Sequence, residues 1–297
     1  MRVVDLFAGC GGMSLGFENA GFDVVAAFDN WDVAIDIYKS NFKHPIYKVD
    51  LSEVDVSENV RELSPDMIIG GPPCQDYSIA GKRELGGRAN LTIQFAKIVA
   101  SVKPQWVVFE NVYNIERFST LEQMKKELKN AGYGISTTVL DASRCGVPQK
   151  RMRFFLIGKI GEPDGFFDDI ILSHMSDHQM TVREYLGDKI DTEYYYMHPR
   201  SYNRRGVFSI DEPAATIRGI NRPIPENYKK HPADKAAIKD GVRALTTKER
   251  SYIQTFPEDF TFVGAKTDVE LAIGNAVPPA LAKYVAQCIK SFCDLSQ

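Results

Sequence analysis

Short apolar runs alternate with stretches of helical period through the first half of the chain. Runs at 2–7, 24–28, 67–70, 106–110 and 154–158 are rich in Val, Ile and Phe and read as strands. A further strand ends at Val49-Asp50-Leu51. Between the strands, 93–102 and 121–131 repeat their apolar residues at the period of a helix with one buried face. This alternation predicts an α/β fold: a mostly parallel sheet with helices on both faces. Ligands of such sheets gather at the carboxyl ends of the strands, and every motif below is expected at such an end.

The pattern lapses from about 161 to 239, where Pro, His, Tyr and Asp are frequent. That stretch suits an irregular, strand-poor insert. Order returns near Val242. The tail from Ala280 spaces Leu281, Val285, Cys288, Ile289 and Phe292 along one helical face, which is expected to pack back on the first domain. The boundaries are therefore 1–160 for a first domain, 161–240 for a small irregular one, and 241–297 for a segment that returns to complete the first.

A formal net charge of −3 excludes a uniformly basic protein, so any affinity for nucleic acid must be local. One stretch qualifies. Across 198–230, Arg200, Arg204, Arg205, Arg218, Arg222, Lys229 and Lys230 face only Asp211, Glu212 and Glu226, a net +4. It is either a nucleic-acid surface or a solvated loop. No apolar run is long enough to span a bilayer, and no signal-peptide pattern opens the chain. The five cysteines are scattered without a CxxC pair, which argues against a zinc site or a disulfide framework and for a reducing, cytoplasmic setting. His174 and His178 share a helical spacing, but without a further ligand no metal is expected.

The chemistry concentrates in a few segments. "DLFAGCGGMSLGF" leaves a strand through Gly9, Gly11 and Gly12, which let the backbone approach a ligand closely or simply turn tightly. The next strand ends in "FDNWD": Asp29 is suited to ribose hydroxyls and Trp31 to an adenine face, though one acid at these strand ends could instead be a helix cap. Asp50 is placed to accept from an adenine amino group. Together these three strand ends predict a nucleoside cofactor without a phosphate-binding lysine. "GGPPCQDYS" then sets Cys74 in a turn stiffened by two prolines, a position suited to a thiolate nucleophile rather than a buried core thiol. "WVVFENV" brings Glu110, either a cap for the following helix or a carboxyl whose apolar strand should raise its pKa so that it can donate a proton or hydrogen bond. In "VPQKRMRFF", Arg151 and Arg153 alternate along a strand, so both guanidinium groups can point into one site; taken alone, the two would read as solvated arginines before a strand.

In this order "DLFAGCGG", "GGPPCQ", "ENV", "QKRMR", "RALTTKERSYIQTFP" and "IGNAVPPALA" resemble the DNA (cytosine-5) methyltransferases of the bacterial restriction–modification type, over nearly the whole length. The resemblance implies a Rossmann-like fold dependent on S-adenosyl-L-methionine, with S-adenosyl-L-homocysteine as product, and a target recognition region in the insert. It implies a cofactor pocket lined by Phe7, Ala8, Gly9, Gly11, Gly12, Asp29, Trp31, Asp50, Leu51, Gly71, Pro73, Leu91, Asn275 and Val277. Some relatives carry the ribose acid next to the tryptophan, where this chain has Asn30; Asp29 is retained as the expected ribose ligand. Cys74 would be the nucleophile, Glu110 the acid, and Arg151 and Arg153 their supports, with Arg151 holding Glu110 or a cytosine oxygen and keeping Cys74 ionised.

The implied substrate is double-stranded DNA with its target cytosine flipped out. Gln75, Ser78, Lys82, Arg83 and Arg88 would meet DNA from a loop that closes over it. Arg204, Arg205, Thr216, Arg218 and Arg222 would face the bases, Thr216-Ile217 resembling the recognition-region signature. A separate cognate endonuclease and a monomeric state are further expectations. Asp76-Tyr77 and Arg88-Ala89-Asn90 depart from the family pattern and put only loop contacts in doubt. Two rivals stand beside this reading. A transfer-RNA methyltransferase of similar fold would carry a Cys-Phe-Thr signature, which is absent. A regulatory DNA-binding module would need no thiol, acid or arginine pair.

Overall fold

The apolar runs become the centre of a seven-stranded sheet in the computed structural model, which describes residues 1–73, 91–201, 203–239 and 241–295. The first half unit is β1 (Arg2–Leu6), α1 (Gly12–Asn19), β2 (Asp23–Asp29), α2 (Asp32–Asn41), β3 (Ile46–Lys48), α3 (Ser57–Glu62) and β4 (Met67–Gly70). It continues through α4 (Leu91–Val102), β5 (Trp106–Val112), α5 (Ser119–Asn130), β6 (Tyr133–Asp141), β7 (Gln149–Lys150) and β8 (Met152–Ile160). The strand order is β3-β2-β1-β4-β5-β8-β6.

Strands β1 to β5 pair in parallel, whereas β8 runs antiparallel between β5 and β6. The reversal corrects one expectation. The "QKRMR" segment reaches the ligand edge from the amino end of its strand, not from a carboxyl end. Strand β3 also stops at Lys48, so Asp50 and Leu51 lie in the turn beyond it. Strand β6 escaped sequence reading because Ser136, Thr137 and Thr138 interrupt its apolar pattern at the sheet edge.

Alternate side chains enter opposite cores, as a period of two dictates. Val3, Met67, Ile69, Trp106 and Val108 face one cluster, against α1 and the last helix. Val4, Leu6, Ile68, Val107 and Phe109 face the other, against Phe95, Ile98 and Val99 of α4 and Leu121, Met124 and Leu128 of α5. Each such side chain contributes about 1.5–3 kcal/mol by burial. The later helices are α6 (Asp168–Ser173), α7 (Val182–Leu186), α8 (Thr247–Ile253), α9 (Lys266–Asn275) and the last, α10 (Pro279–Leu295). Leu281, Val285, Cys288 and Ile289 of α10 are fully buried, and Phe292 packs edge-on against Trp106. α1 and α10 touch at Gly16, where a Cβ would come within 2.4 Å of the Ala282 Cβ, so any larger residue there separates them.

Within the insert, β9 (Tyr194–Tyr196) and β10 (Val207–Ser209) pair antiparallel, and β12 (Arg243–Ala244) joins β9 from beyond residue 240. β11 (Ala214–Ala215) pairs with β7. These strands are only two or three residues long, which is why composition concealed them. Tyr195, Phe208, Ile210 and Ile217 pack there with Leu245, Ile253 and Val269.

One polar group lies in the middle of this packing. Asp5 on β1 is 1% exposed; Ser14 Oγ donates to its Oδ2 (2.6 Å) and Tyr38 Oη donates to Ser14 Oγ (2.7 Å). Burial, opposed by the Ser14 bond and helped by the nearby Asp29 charge, pushes the Asp5 carboxyl from 3.8 up to about 7. A pKa raised on folding leaves stability intact below the unfolded value and removes it as pH climbs through the folded one. Asp5→Asn should therefore gain stability relative to the parent between pH 4 and pH 7, by up to about 4 kcal/mol in total, and gain no more above pH 8. Urea unfolding at pH 5 and pH 8 measures this; equal differences at both pH values would remove Asp5 as the titrating group.

Candidate active site

The chain leaves β1 under strain. Phe7 adopts φ 61°, a left-handed conformation that costs a non-glycine residue about 1–3 kcal/mol, and Gly9 follows at φ 55°. Asp29, at the end of β2, holds the turn: Gly9 N donates to its Oδ2 (2.7 Å) and Trp31 N to its Oδ1 (2.9 Å). Burial raises the Asp29 carboxyl and these backbone donors lower it. Both oxygens are thus engaged by main-chain amides, which makes Asp29 a clamp between the β1 turn and the start of α2. Asn30 beside it is exposed.

The turn borders a cavity of about 530 Å³ at the strand ends. Of the residues expected to line a cofactor pocket, Phe7, Ala8, Gly9, Gly12, Asp29, Trp31, Asp50, Leu51, Gly71, Pro73, Leu91, Asn275 and Val277 border this cavity. Gly11 is not among them. At φ 94°, its missing Cβ points at Phe42 Cε2 (2.3 Å) and Tyr38 Cδ2 (3.0 Å), so Gly11 is needed for packing against α2. Gly12 serves two purposes, lining the cavity and letting the Val277 carbonyl approach to 2.1 Å from where a Cβ would stand. Sequence reading missed Asp5, Cys10, Met13, Asn111, Ala272, Gly274 and Ala276 as lining residues. The α9 end could have been found from its neighbours in "IGNAV"; the others are exposed to the cavity only by folding.

Around Asp50 the chain makes a tight turn, with Ser52 N (2.9 Å) and Oγ (2.6 Å) both donating to Asp50 Oδ1. At the other end of the cavity stands Glu110, 7% exposed. Its Oε1 lies 3.0 Å from Arg153 Nε, and a Cβ on Gly71 would crowd its Oε2 at 3.0 Å. Burial raises the Glu110 carboxyl above its ordinary range, while Arg153 and then Arg151 pull it down. The next residue, Asn111, donates from Nδ2 to Pro72 O (3.1 Å) and accepts from Val112 N (2.8 Å). The exit of β4 is thereby tied to β5, two residues before Cys74.

The two arginines divide. Arg153 takes Glu110, as its position predicts. Arg151, 1% exposed, donates from Nη1 to Ile217 O (3.0 Å) and from Nη2 to Gly274 O (3.0 Å) and Ala276 O (2.9 Å). It borders the cavity, but its described hydrogen bonds bind backbone; of the two roles expected of it, holding Glu110 or a cytosine oxygen, the first falls to Arg153.

Among the expected base readers, Arg205 is spent internally: it pairs with Glu212 (2.8 Å) and lies over the Phe208 ring (4.4 Å). Arg218 is half-buried and donates to His198 O; burial and then Arg200, Arg250 and Arg204 lower its pKa. Arg204 and Arg222 are exposed. Thr216 Oγ1 donates to Lys150 O (2.8 Å), pinning β11 to β7. Cys74, Gln75, Ser78, Lys82, Arg83 and Arg88 lie outside the described residues. Among the described residues no three His, Cys, Asp or Glu cluster in a metal-binding arrangement, and His178 pairs with Glu184 (2.9 Å). No helix among them is long and apolar enough to cross a membrane.

A sheet in this order, with a single reversed strand and a glycine turn opening on a cavity at the strand ends, defines an α/β methyltransferase fold. Solved structures agree. A putative DNA modification methyltransferase from an Escherichia coli prophage superposes with a TM-score of 0.71 at 22% identity, covering 99% of each chain. The Schizosaccharomyces pombe Dnmt2 methyltransferase gives 0.72 at 18% identity, covering 100% of this chain and 99% of that one. The sequence is more specific. The model of the C-5 cytosine-specific DNA methylases matches residues 1–291, and the chain belongs to that family: it is a DNA (cytosine-5-)-methyltransferase. It is similar to the type II methyltransferase M.HindV of Haemophilus influenzae, at 55% identity over 98% of this chain and 97% of that one. It is also similar to M.HgiDI of Herpetosiphon aurantiacus, at 51% identity over 98% and 95%.

Removing the Arg153 charge leaves Glu110 with burial and a weaker cation. Arg153→Gln should therefore move the Glu110 titration to higher pH, read by carbon NMR of labelled glutamate in the folded protein; an unchanged or lower value would show that Arg153 does not control this carboxyl.

Proposed function

We propose that this enzyme transfers a methyl group from S-adenosyl-L-methionine to the 5-position of a flipped-out cytosine in double-stranded DNA, through a covalent adduct with Cys74. The reading rests above all on one juxtaposition. A nucleoside-sized cavity carries an indole and two acids at one end and a buried, arginine-paired carboxyl at the other, beside the segment that runs into Cys74. Its volume lies within the range of small-molecule sites. Trp31 offers a stacking face, Asp50 an acceptor for an amino group, and the open space over Gly9, where a Cβ would meet nothing within 4 Å, admits a ligand against the backbone. Because the Asp29 oxygens already hold two amides, Asn30 is the better partner for ribose hydroxyls, with Asp29 setting its position. When bound, the cofactor supplies an electrophilic methyl group on a sulfonium.

The protein's share of the chemistry follows from cytosine itself, whose position 5 is too weak a nucleophile alone. The Cys74 thiolate adds to position 6 and turns the ring into an enamine. Glu110, whose carboxyl burial raises against the pull of its arginines, in its protonated form hydrogen-bonds N3 and stabilises charge arriving there. Arg153 orients that carboxyl. After methylation a base removes the position-5 proton and Cys74 leaves; bound water is a suitable base. A stacked base cannot enter such a site, so the cytosine must leave the helix.

In this reading, residues 1–160 and 241–297 build the catalytic and cofactor domain and 161–240 recognise the target. Arg204, Arg218 and Arg222 read bases, while Lys82, Arg83 and Arg88 meet phosphates with Gln75 and Ser78 beside them. The named type II relatives support a role in restriction–modification; a separate endonuclease, a monomeric state and a bacterial cytoplasmic setting belong to the same proposal.

Cys74→Ser should abolish methylation of unmodified plasmid DNA by labelled cofactor while leaving S-adenosyl-L-homocysteine binding nearly unchanged; more than a few per cent residual activity would falsify the covalent route. Trp31→Ala should weaken cofactor binding by about 1–3 kcal/mol in calorimetry, taking aromatic stacking on bases as the yardstick. Arg222→Ala should relax discrimination between target and single-mismatch duplexes by about 1–3 kcal/mol, whereas Arg205→Ala should act through stability. Equal discrimination by Arg222→Ala and the parent would move base reading elsewhere.

A further inference from the structure

The recognition segment and the wall of the cofactor cavity meet with no side chain between them. A Cβ on Gly274 would lie 2.1 Å from Gly219 N and 2.3 Å from Arg218 C, so the last turn of α9 rests directly on the backbone of 218–219. Arg151 spans this contact, donating to Ile217 O on one side and to Gly274 O and Ala276 O on the other. A second bridge runs alongside. Gln149 Oε1 accepts from Ile217 N (2.8 Å), its Nε2 donates to Gln254 Oε1 (2.8 Å), and Gln254 Nε2 donates to Ile273 O (2.5 Å) and Ala276 O (3.2 Å). Gln149 and Gln254 are fully buried.

Farther along α9, Glu270 accepts from Asn221 Nδ2 (2.9 Å) and pairs with Arg250 (2.5 Å), which donates to Arg218 O. The same α9 terminus delivers Gly274, Asn275, Ala276 and Val277 to the cavity. If 216–219 moves, buried carbonyls and amides on both sides lose their partners at once, so the two segments must shift together or not at all.

We propose that Arg151 is a positioning residue that locks segment 216–219 to the cofactor wall 274–277, so that seating the recognition segment on DNA and binding the cofactor are energetically coupled. This rests on the functional reading above and adds to it a reciprocal linkage: what DNA does to cofactor affinity, the cofactor must do to DNA affinity.

The test uses S-adenosyl-L-homocysteine and plasmid DNA from a host without cytosine methylation. Calorimetry gives the ligand's affinity with and without saturating plasmid, and bisulfite sequencing gives the cytosines methylated in the presence of the methyl donor. In the parent, plasmid DNA should change the affinity at least tenfold. In Arg151→Lys, which keeps the charge but cannot span three carbonyls, that change should shrink to less than threefold, and methylation should spread to cytosines outside the parent's sites.

Thermal unfolding establishes that the variant is folded. Should it not fold, Gln149→Met, which removes only the parallel bridge, must show the same two changes in smaller measure. The proposal is overturned if DNA leaves the parent's affinity unaltered, or if a folded variant loses activity while keeping the parent's DNA-dependent shift and methylation pattern. Failure of the parent to bind the ligand or to methylate any cytosine would instead refute the functional reading.

Discussion

A carboxyl buried at the end of an apolar strand must be neutral or have a cation beside it, and the reversal of one strand gives Glu110 its cation. Because β8 enters the sheet antiparallel to β5, its amino end lies at the edge where β1, β4 and β5 deliver their carboxyl ends. The register sets Val112 opposite Arg153, two residues beyond Glu110, and the guanidinium reaches back to the carboxylate. In a fully parallel sheet this arginine would stand at the far edge. Burial alone would then raise Glu110 unchecked, and the opposing pull of Arg153 is what keeps the carboxyl adjustable.

The same edge shows how a strained backbone is held. Phe7 sits at positive φ because Ala8 N is bonded to Phe28 O (3.1 Å) and Gly9 N to Asp29. The turn is over-determined from β2, and the clamp engages both oxygens of the carboxylate that sequence alone offers to a ribose. Likewise the tie from Asn111 to Pro72 fixes the chain entering Cys74 through a main-chain carbonyl, a contact that leaves no trace in the residue types.

Much of this was legible in the sequence. Apolar runs named the central strands, because a strand buried on both faces needs continuous hydrophobicity. The motifs named Glu110, Trp31, Asp50 and the glycine turn, because close backbone approach and charge at strand ends demand particular residue types. Helix α10 could be placed on the first domain from one apolar face. Less legible were β6, whose hydroxyl-bearing residues suit an edge, and the strands of the insert, which are too short to carry a period.

What only the tertiary structure decided is which member of each pair does what. Sequence spacing treats Arg151 and Arg153 as equals, and Asp29 and Asn30 as neighbours. Folding spends Arg151 on the carbonyls of residues 217, 274 and 276, and spends Asp29 on the amides of Gly9 and Trp31. It turns Gly11 away from the cavity against Phe42 and ties Arg205 to Glu212. The reason is physical: a residue type states how many hydrogen bonds and charges must be satisfied, but the partners come from segments far apart in the chain, and only packing brings them within 3 Å.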